Sequence, residues 1–349
     1  MTYVRPEIEA LAGYQPGEQP QTGKYIKLNT NENPYDCSPK VAQAIRSALD
    51  QGLSKYPDAV CDSFRTRAAE VLGVEPNWIL CGNGSDDILT IVTRAFVDAG
   101  QTLRLPYPSY VLYKTLAQIQ GARYEEVPFA EDWSLSAAFS AADASLRLVC
   151  LPNPNSPSGT VIQPSEILEL ARCLPCPLLV DEAYADFADQ HCLDLVRQEE
   201  RVMVSRSLSK SYALAGLRFG FLVAQPQIID QLMKVKDSYN CDALSIAGAT
   251  AAIDDQDWLH QTRSKILATR NRMRARLADL GFSVTPSQAN FLWCTDAQTP
   301  LEPIYDELKL NRILVRYMNY AGWGEGLRIS VGSDDQAEAC LNLISDMRS

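Results

Sequence analysis

The sequence predicts an α/β fold: a large domain built on a mostly parallel sheet covered by helices, with a smaller α+β domain beside it. Three observations carry this. Between about residues 78 and 225 short apolar runs recur, each ending in a turn-forming cluster, and helical patterns fill several of the gaps. After Ser245 the texture changes to one long charged helical pattern followed by shorter strand-like runs. At 349 residues the chain holds about two domains, taking roughly 150 residues for each.

The first fifty residues are rich in Pro, Gly and Asn and lead into a helix near 39–49, expected to lie across the large domain or to join the smaller one. The large domain is expected at 52–250, and the arm 1–51 is grouped with 251–349. Within the large domain the strand-like runs are 78–81, 102–105, 146–151, 178–180, 202–204 and 219–223, with helical patterns at 88–97 and 164–173. The smaller domain reads as a helix at 256–280, strands at 291–294, 313–315 and 327–331, and a final helix reaching Met347. Ligands in open α/β sheets sit beyond the carboxyl ends of the strands. The residues that follow each run are therefore the place to look for chemistry.

Composition narrows the options. Asp and Glu number 43 against 32 Lys and Arg, a formal charge of −11, so non-specific attraction to nucleic acid or anionic membrane is not expected. Any anionic ligand must be held locally. No basic, apolar leader opens the chain and no uncharged apolar run approaches membrane-spanning length, which points to a cytoplasmic enzyme with no membrane partner. The ten cysteines are scattered singly through apolar contexts and read as reduced core residues. Cys173 and Cys176 have no second pair and no nearby His, so no metal site is expected. With only His191 and His260 present, both in polar surroundings, imidazole-centred triads are nearly excluded.

Four clusters follow strand-like runs. Gly82-Asn83-Gly84-Ser85-Asp86 leads at once into a helical pattern, where free N–H groups can form an anion site. Alone it is also compatible with an ordinary capped turn, and it lacks the endings of a P-loop or a dinucleotide fingerprint. Asn153-Pro154-Asn155-Ser156-Pro157-Ser158-Gly159 is a rigid turn that either presents side-chain amides or is simply a structural loop. Asp181 ends an apolar run with Tyr184 three residues on; a carboxylate there either meets a cation or caps the next helix. Finally, Ser207-Leu208-Ser209-Lys210 precedes Ala215-Gly216-Leu217-Arg218, uniting an amine, two hydroxyls and a guanidinium. A lone lysine is usually a surface charge. The four together supply an amine, a carboxylate, a phenol and an anion cradle, the set that pyridoxal phosphate requires.

At these residues the chain resembles the fold-type-I aminotransferases over essentially its whole length, the most specific piece being Ser207 to Lys210 followed by Ala213 to Arg218. The resemblance implies a seven-stranded sheet and a pyridoxal 5'-phosphate cofactor. It makes Lys210 the cofactor-anchoring lysine and proton carrier, Asp181 the partner of the pyridine nitrogen, and Tyr184 a donor to the phenolate oxygen. Ser207, Ser209 and Arg218, with the helix start at Ser85 and Asp86, would grip the phosphate, and Tyr110 would stack on the ring. Tyr56 resembles a tyrosine that reaches the neighbouring subunit's phosphate, which implies a homodimer with shared active sites. One departure stands out: Ser156 occupies the place of the family's usual asparagine, so either Asn155 swings in or Ser156 and a water replace that contact.

Within this superfamily the ends of the chain resemble histidinol-phosphate aminotransferases: Arg5-Pro6 through Tyr14-Gln15-Pro16-Gly17, Leu28-Asn29-Thr30-Asn31-Glu32-Asn33-Pro34, Leu314-Val315-Arg316-Tyr317 and Leu327-Arg328-Ile329-Ser330. That family interconverts histidinol phosphate and 2-oxoglutarate with imidazole-acetol phosphate and glutamate in histidine biosynthesis. The resemblance makes Arg316 and Arg328 the substrate's anion site and has Tyr14 close over it. An aminotransferase for aromatic or other amino acids, or a threonine-phosphate decarboxylase, shares the same cofactor residues and stays open at this point.

Overall fold

The computed structural model describes residues 3–13, 17–20 and 22–348. Seven strands form the large sheet, in the order Ile79–Gly82, Gly220–Val223, Val202–Ser207, Leu178–Asp181, Leu146–Pro152, Thr102–Tyr107 and Arg123–Pro128. Gly220–Val223 runs antiparallel to both neighbours, and the other adjacent pairs are parallel. The central strands are apolar on both faces, as a sheet covered on both sides requires. Val149, Leu151, Leu178, Val180, Val202 and Val204 face one core, while Leu148, Cys150, Leu179 and Met203 face the other. Helices Asp62–Leu72, Pro164–Cys173 and Ala243–Asp254 close the first core through Phe64, Ile167 and Ala249. Ser85–Phe96 and Leu112–Ile119 close the second through Ile88, Leu89, Tyr113 and Leu116.

The strand absent from the apolar pattern is Arg123–Pro128, which reads Arg-Tyr-Glu-Glu-Val-Pro. It forms the sheet's edge, where charged side chains discourage pairing with another chain. Its Glu125 accepts from Nε of the fully buried Arg104 at 2.8 Å, and the same guanidinium donates to the carbonyls of Phe139 and Ala141.

A four-stranded antiparallel sheet makes the smaller layer, in the order Arg316–Tyr320, Gly324–Ser330, Phe291–Thr295, Ser283–Val284. Its core of Leu292, Leu327 and Ile329 is covered by Ile266 and Met273 of helix Gln256–Asp279 and by Leu341 and Ile344 of Asp334–Arg348. The arm joins this layer, because Ile26–Lys27 pairs in parallel with Ile313–Leu314 and Leu28 enters the same core. The run expected at 313–315 thus pairs with the arm through Ile313–Leu314, and Val315 links it to the next strand, Arg316–Tyr320, of the four-stranded sheet. Helix Pro39–Asp50 goes the other way: Val41 and Ile45 pack into the large core, although the sequence division grouped this helix with the arm. A helical pattern marks an apolar face but not the core that receives it. All ten cysteines are free thiols, eight of them buried. No helix among the described residues is long and apolar enough to cross a membrane.

Candidate active site

A cavity of about 820 Å³ lies beyond the carboxyl ends of the large sheet's strands and is walled on its far side by the smaller sheet's hairpin. Asp181, the last residue of its strand, enters it from below. Its Oδ2 accepts from Tyr113 Oη at 2.7 Å, and its Oδ1 accepts from Ser205 Oγ at 3.1 Å and from the backbone N–H of Ala183 at 3.2 Å. Burial raises the carboxyl's pKa in spite of these three donors. No lysine or arginine among the described residues forms a salt bridge with it. Tyr184, carried past the strand end by the following turn, accepts at Oη from Asn31 Nδ2 at 3.0 Å, and its own pKa is raised by burial.

Lys210 reaches the cavity from the turn after Val202–Ser207, which the Ser207 hydroxyl stabilises by accepting the Ser209 N–H at 3.2 Å. Its Nζ donates to the carbonyl of Thr30 at 2.9 Å. Desolvation, then the charge of Arg328, lowers this amine to about 8, against an ordinary value of 10.5. The unfolded chain binds the extra proton between those two values, so stability of the cofactor-free protein should rise with pH across that window. Below pH 8 the buried charge is a constant cost. Lys210→Met should therefore stabilise the cofactor-free protein at pH 7 by up to about 3 kcal/mol in urea unfolding, with the gain closing as pH approaches 10.5.

The anion end is built at the start of helix Ser85–Phe96. Gly84 caps it at φ 86°, and a Cβ there would lie 2.6 Å from Nη2 of Arg218. A Cβ on Gly220 would lie 2.6 Å from the backbone N of Ser85. These two glycines let the arginine and the next strand close on the helix start. Arg218 donates from Nη1 to Ser209 Oγ at 3.2 Å and pairs through Nη2 with Asp86 at 3.4 Å. Tyr110 Oη donates to the same Asp86 carboxylate at 3.2 Å, and the Tyr110 ring meets Tyr113 edge-on at 5.6 Å. Asp86 thus offers an anion only its backbone, its carboxylate being used to hold Arg218 and Tyr110.

From the smaller layer come Arg316 and Arg328, directly opposite each other in the antiparallel hairpin, and both line the cavity. Arg328 donates from Nη1 to Ser156 Oγ at 2.9 Å and from Nη2 to the carbonyl of Asn29 at 3.0 Å, with its guanidinium 5.3 Å from the Phe291 ring centre.

Asn155 does not line the cavity. Its Nδ2 donates to the Pro108 carbonyl at 3.2 Å and to Ser158 Oγ at 3.0 Å, and its backbone closes the turn with Thr160 and Gly159. This corrects its place among the site residues: the amide holds the loop together, and Ser156 faces the cavity instead. Tyr56 is 80% exposed, stacked on Tyr239 at 4.4 Å, and lies away from this chain's own cavity. Tyr14 lies outside the described residues.

The model of the class I and II aminotransferases matches residues 23–344. The chain belongs to that family. This aminotransferase is 56% identical to the histidinol-phosphate aminotransferase of Rhodopirellula baltica, across 97% of this chain and 94% of the relative. It is 44% identical to histidinol-phosphate aminotransferase 1 of a Nostoc species, across 99% and 98%. Among solved structures, the histidinol-phosphate aminotransferase of Sinorhizobium meliloti in complex with pyridoxal-5'-phosphate superimposes with a TM-score of 0.88 at 26% identity, covering 99% of both chains.

The aminotransferase's cavity fits that group. A buried carboxylate held only by neutral donors is matched by a protonated ring nitrogen, which would supply the missing cation. Gly84 clears the space for Arg218 at the helix start, Gly220 lets its strand close on the backbone there, and a desolvated amine stands within the same wall. The structure adds Tyr113 and Ser205 as holders of Asp181, and Thr30 and Asn31 as holders of Lys210 and Tyr184. Ser205 lies two residues before Ser207 on one strand, so period-2 alternation could have placed it; the other contacts join segments far apart in sequence.

Proposed function

We propose that this chain is a pyridoxal-phosphate-dependent histidinol-phosphate aminotransferase. It interconverts histidinol phosphate and 2-oxoglutarate with imidazole-acetol phosphate and glutamate, in histidine biosynthesis. The observation that carries the reading is the meeting, in one cavity, of Lys210, Asp181 and Tyr184 from the large sheet with Arg316 and Arg328 from the small one. A cofactor set alone serves many amine substrates. A pair of arginines opposite it adds a grip for a second anionic group. The full-length identity to relatives of that name supports the same substrate.

When bound, pyridoxal phosphate supplies an aldehyde that condenses with amines and a protonated ring that accepts electron density from the substrate's Cα. The protein's part is to hold and to move protons. Lys210, whose amine desolvation brings down to about 8 and so closer to working pH, takes the proton from substrate Cα. Asp181 keeps the ring nitrogen protonated, and Tyr184 donates to the phenolate oxygen. Ser207, Ser209, Arg218 and the backbone N–H groups at Ser85 and Asp86 hold the phosphate, while Tyr110 stacks on the ring. Arg328 and Arg316 take the substrate phosphate and then a carboxylate of 2-oxoglutarate, with Tyr14 closing over them.

The exposed Tyr56 supports a homodimer in which this tyrosine reaches the partner's phosphate site. We place the enzyme in the cytoplasm, and its net acidic charge supports small-molecule substrates without nucleic-acid or anionic-membrane partners.

The test follows the cofactor's absorption band through one turnover with histidinol phosphate, phenylalanine and threonine phosphate in parallel, with product analysis. Bleaching is expected to be fastest with histidinol phosphate and to yield the keto product. Faster bleaching with phenylalanine, or carbon dioxide released from threonine phosphate, would move the chain to another reaction on the same cofactor.

A further inference from the structure

Three consecutive residues of the arm each touch a different reactive group. The carbonyl of Asn29 accepts from Arg328, the carbonyl of Thr30 accepts from Lys210, and the side chain of Asn31 donates to Tyr184. Asn31 is buried, at φ 56°, a left-handed conformation that asparagine tolerates better than most residues. Its remaining polar groups are fixed by the smaller layer. Its N–H donates to Ser330 Oγ at 2.9 Å, its Oδ1 accepts from the same hydroxyl at 2.9 Å, and its carbonyl accepts from Asn290 Nδ2 at 3.0 Å. Because Oδ1 takes the Ser330 proton, Nδ2 is the atom turned toward the phenol, and the side chain's orientation is set.

We infer that Asn31 is a positioning residue for the reaction: its amide occupies the lone pair of Tyr184 Oη, so the phenolic proton points to the cofactor's phenolate oxygen as a strengthened donor. A phenol oxygen carries a single proton, and an N–H donated to that oxygen both fixes the proton's direction and polarises the O–H bond. Ser330 lies two residues from Arg328 on one strand, so both project from the same face of the hairpin. The strand that binds the substrate's anion therefore also holds the residue that aims the phenol.

This inference rests on the reading of Tyr184 as a cofactor donor. The charged groups facing Tyr184 are Arg328, Asp181, Asp86 and Lys210, the last with Nζ 6.0 Å from the ring centre, and none of them is altered in the test. Holoenzyme is titrated by the pH dependence of its cofactor absorption band in the wild type, Asn31→Gly, Tyr184→Phe and the double variant. Glycine accepts the positive φ without strain, so the change removes the amide and the acceptor it offers Ser330 while keeping the backbone N–H that donates to that hydroxyl. Weaker donation to the phenolate oxygen should raise the band's midpoint by about one pH unit in Asn31→Gly. In the same variant kcat should fall about tenfold with KM for histidinol phosphate little changed. In the Tyr184→Phe background the Asn31 change should add nothing, since no phenol remains to be aimed. Ser330→Ala, which frees the amide without removing it, should shift the midpoint in the same direction by less. An unchanged midpoint in both Asn31→Gly and Ser330→Ala, or an equal shift with and without the Tyr184 hydroxyl, overturns the inference. Absence of any cofactor band from the wild type overturns the functional reading beneath it instead.

Discussion

Lys210→Ala should keep the cofactor bound and lose turnover by about 10⁴-fold, the upper range for removal of a positioned proton carrier. Lys210 is the one lysine among the described residues of the cavity wall. No other amine stands ready to take the Cα proton. Cofactor retention follows because the groups assigned to the phosphate and the ring, Arg218, Ser207, Ser209 and Asp181, are untouched and do not lean on the lysine. Its amine donates to the arm, at the Thr30 carbonyl. Losing that contact frees a backbone carbonyl at a solvated cavity wall, a small cost beside the relief of a buried charge. The measurement is a steady-state assay with the absorption spectrum recorded on the same sample. Multiple turnover at the wild-type rate would remove Lys210 from the chemistry, whereas loss of the cofactor band would mean that the lysine, rather than the phosphate cradle, supplies the affinity.

What the sequence made legible was the part of the site that is local. Asp181, Tyr184, Ser207, Ser209 and Lys210 all follow closely on apolar runs, and a strand that ends in a turn delivers its next residues to one edge of the sheet. Arg218 lies just before the antiparallel strand Gly220–Val223, which begins at that same edge. Continuous apolar runs marked the central strands, which are covered on both faces. The edge strand Arg123–Pro128 escaped because its charged residues leave no apolar run, and they are there to protect an edge. Contacts across long separations escaped as well. Tyr113 reads as the buried side of an ordinary helix until Asp181 is placed beneath it. The motif from Asn29 to Asn31 signalled family but not role, since its partners Arg328, Lys210 and Tyr184 lie between 153 and 299 residues away. Asn155 was misplaced because a Pro-rich turn fixes which amides face inward only through its own hydrogen bonds, and those turn this one into the loop.

The same dependence on long-range geometry makes Arg328→Ala the second large effect. One guanidinium is offered to both halves of the reaction, so KM for histidinol phosphate and for 2-oxoglutarate should rise together, each by about 100-fold or about 3 kcal/mol, as expected when a bidentate, charge-assisted contact is lost. The cofactor band should persist, because Arg328 touches Ser156, the Asn29 carbonyl and the Phe291 face but none of the residues assigned to the phosphate cradle. Arg328→Lys should recover only part of the loss, since an ammonium restores the charge without the planar fork. Lys210 offers a second readout: Arg328 is the second cause of its lowered pKa after desolvation, so removing the guanidinium should move that amine upward in the cofactor-free protein. A rise in KM for only one substrate would separate the two anion sites and assign the other to Arg316; a rise for neither would leave Arg328 as a strut between the hairpin and the arm.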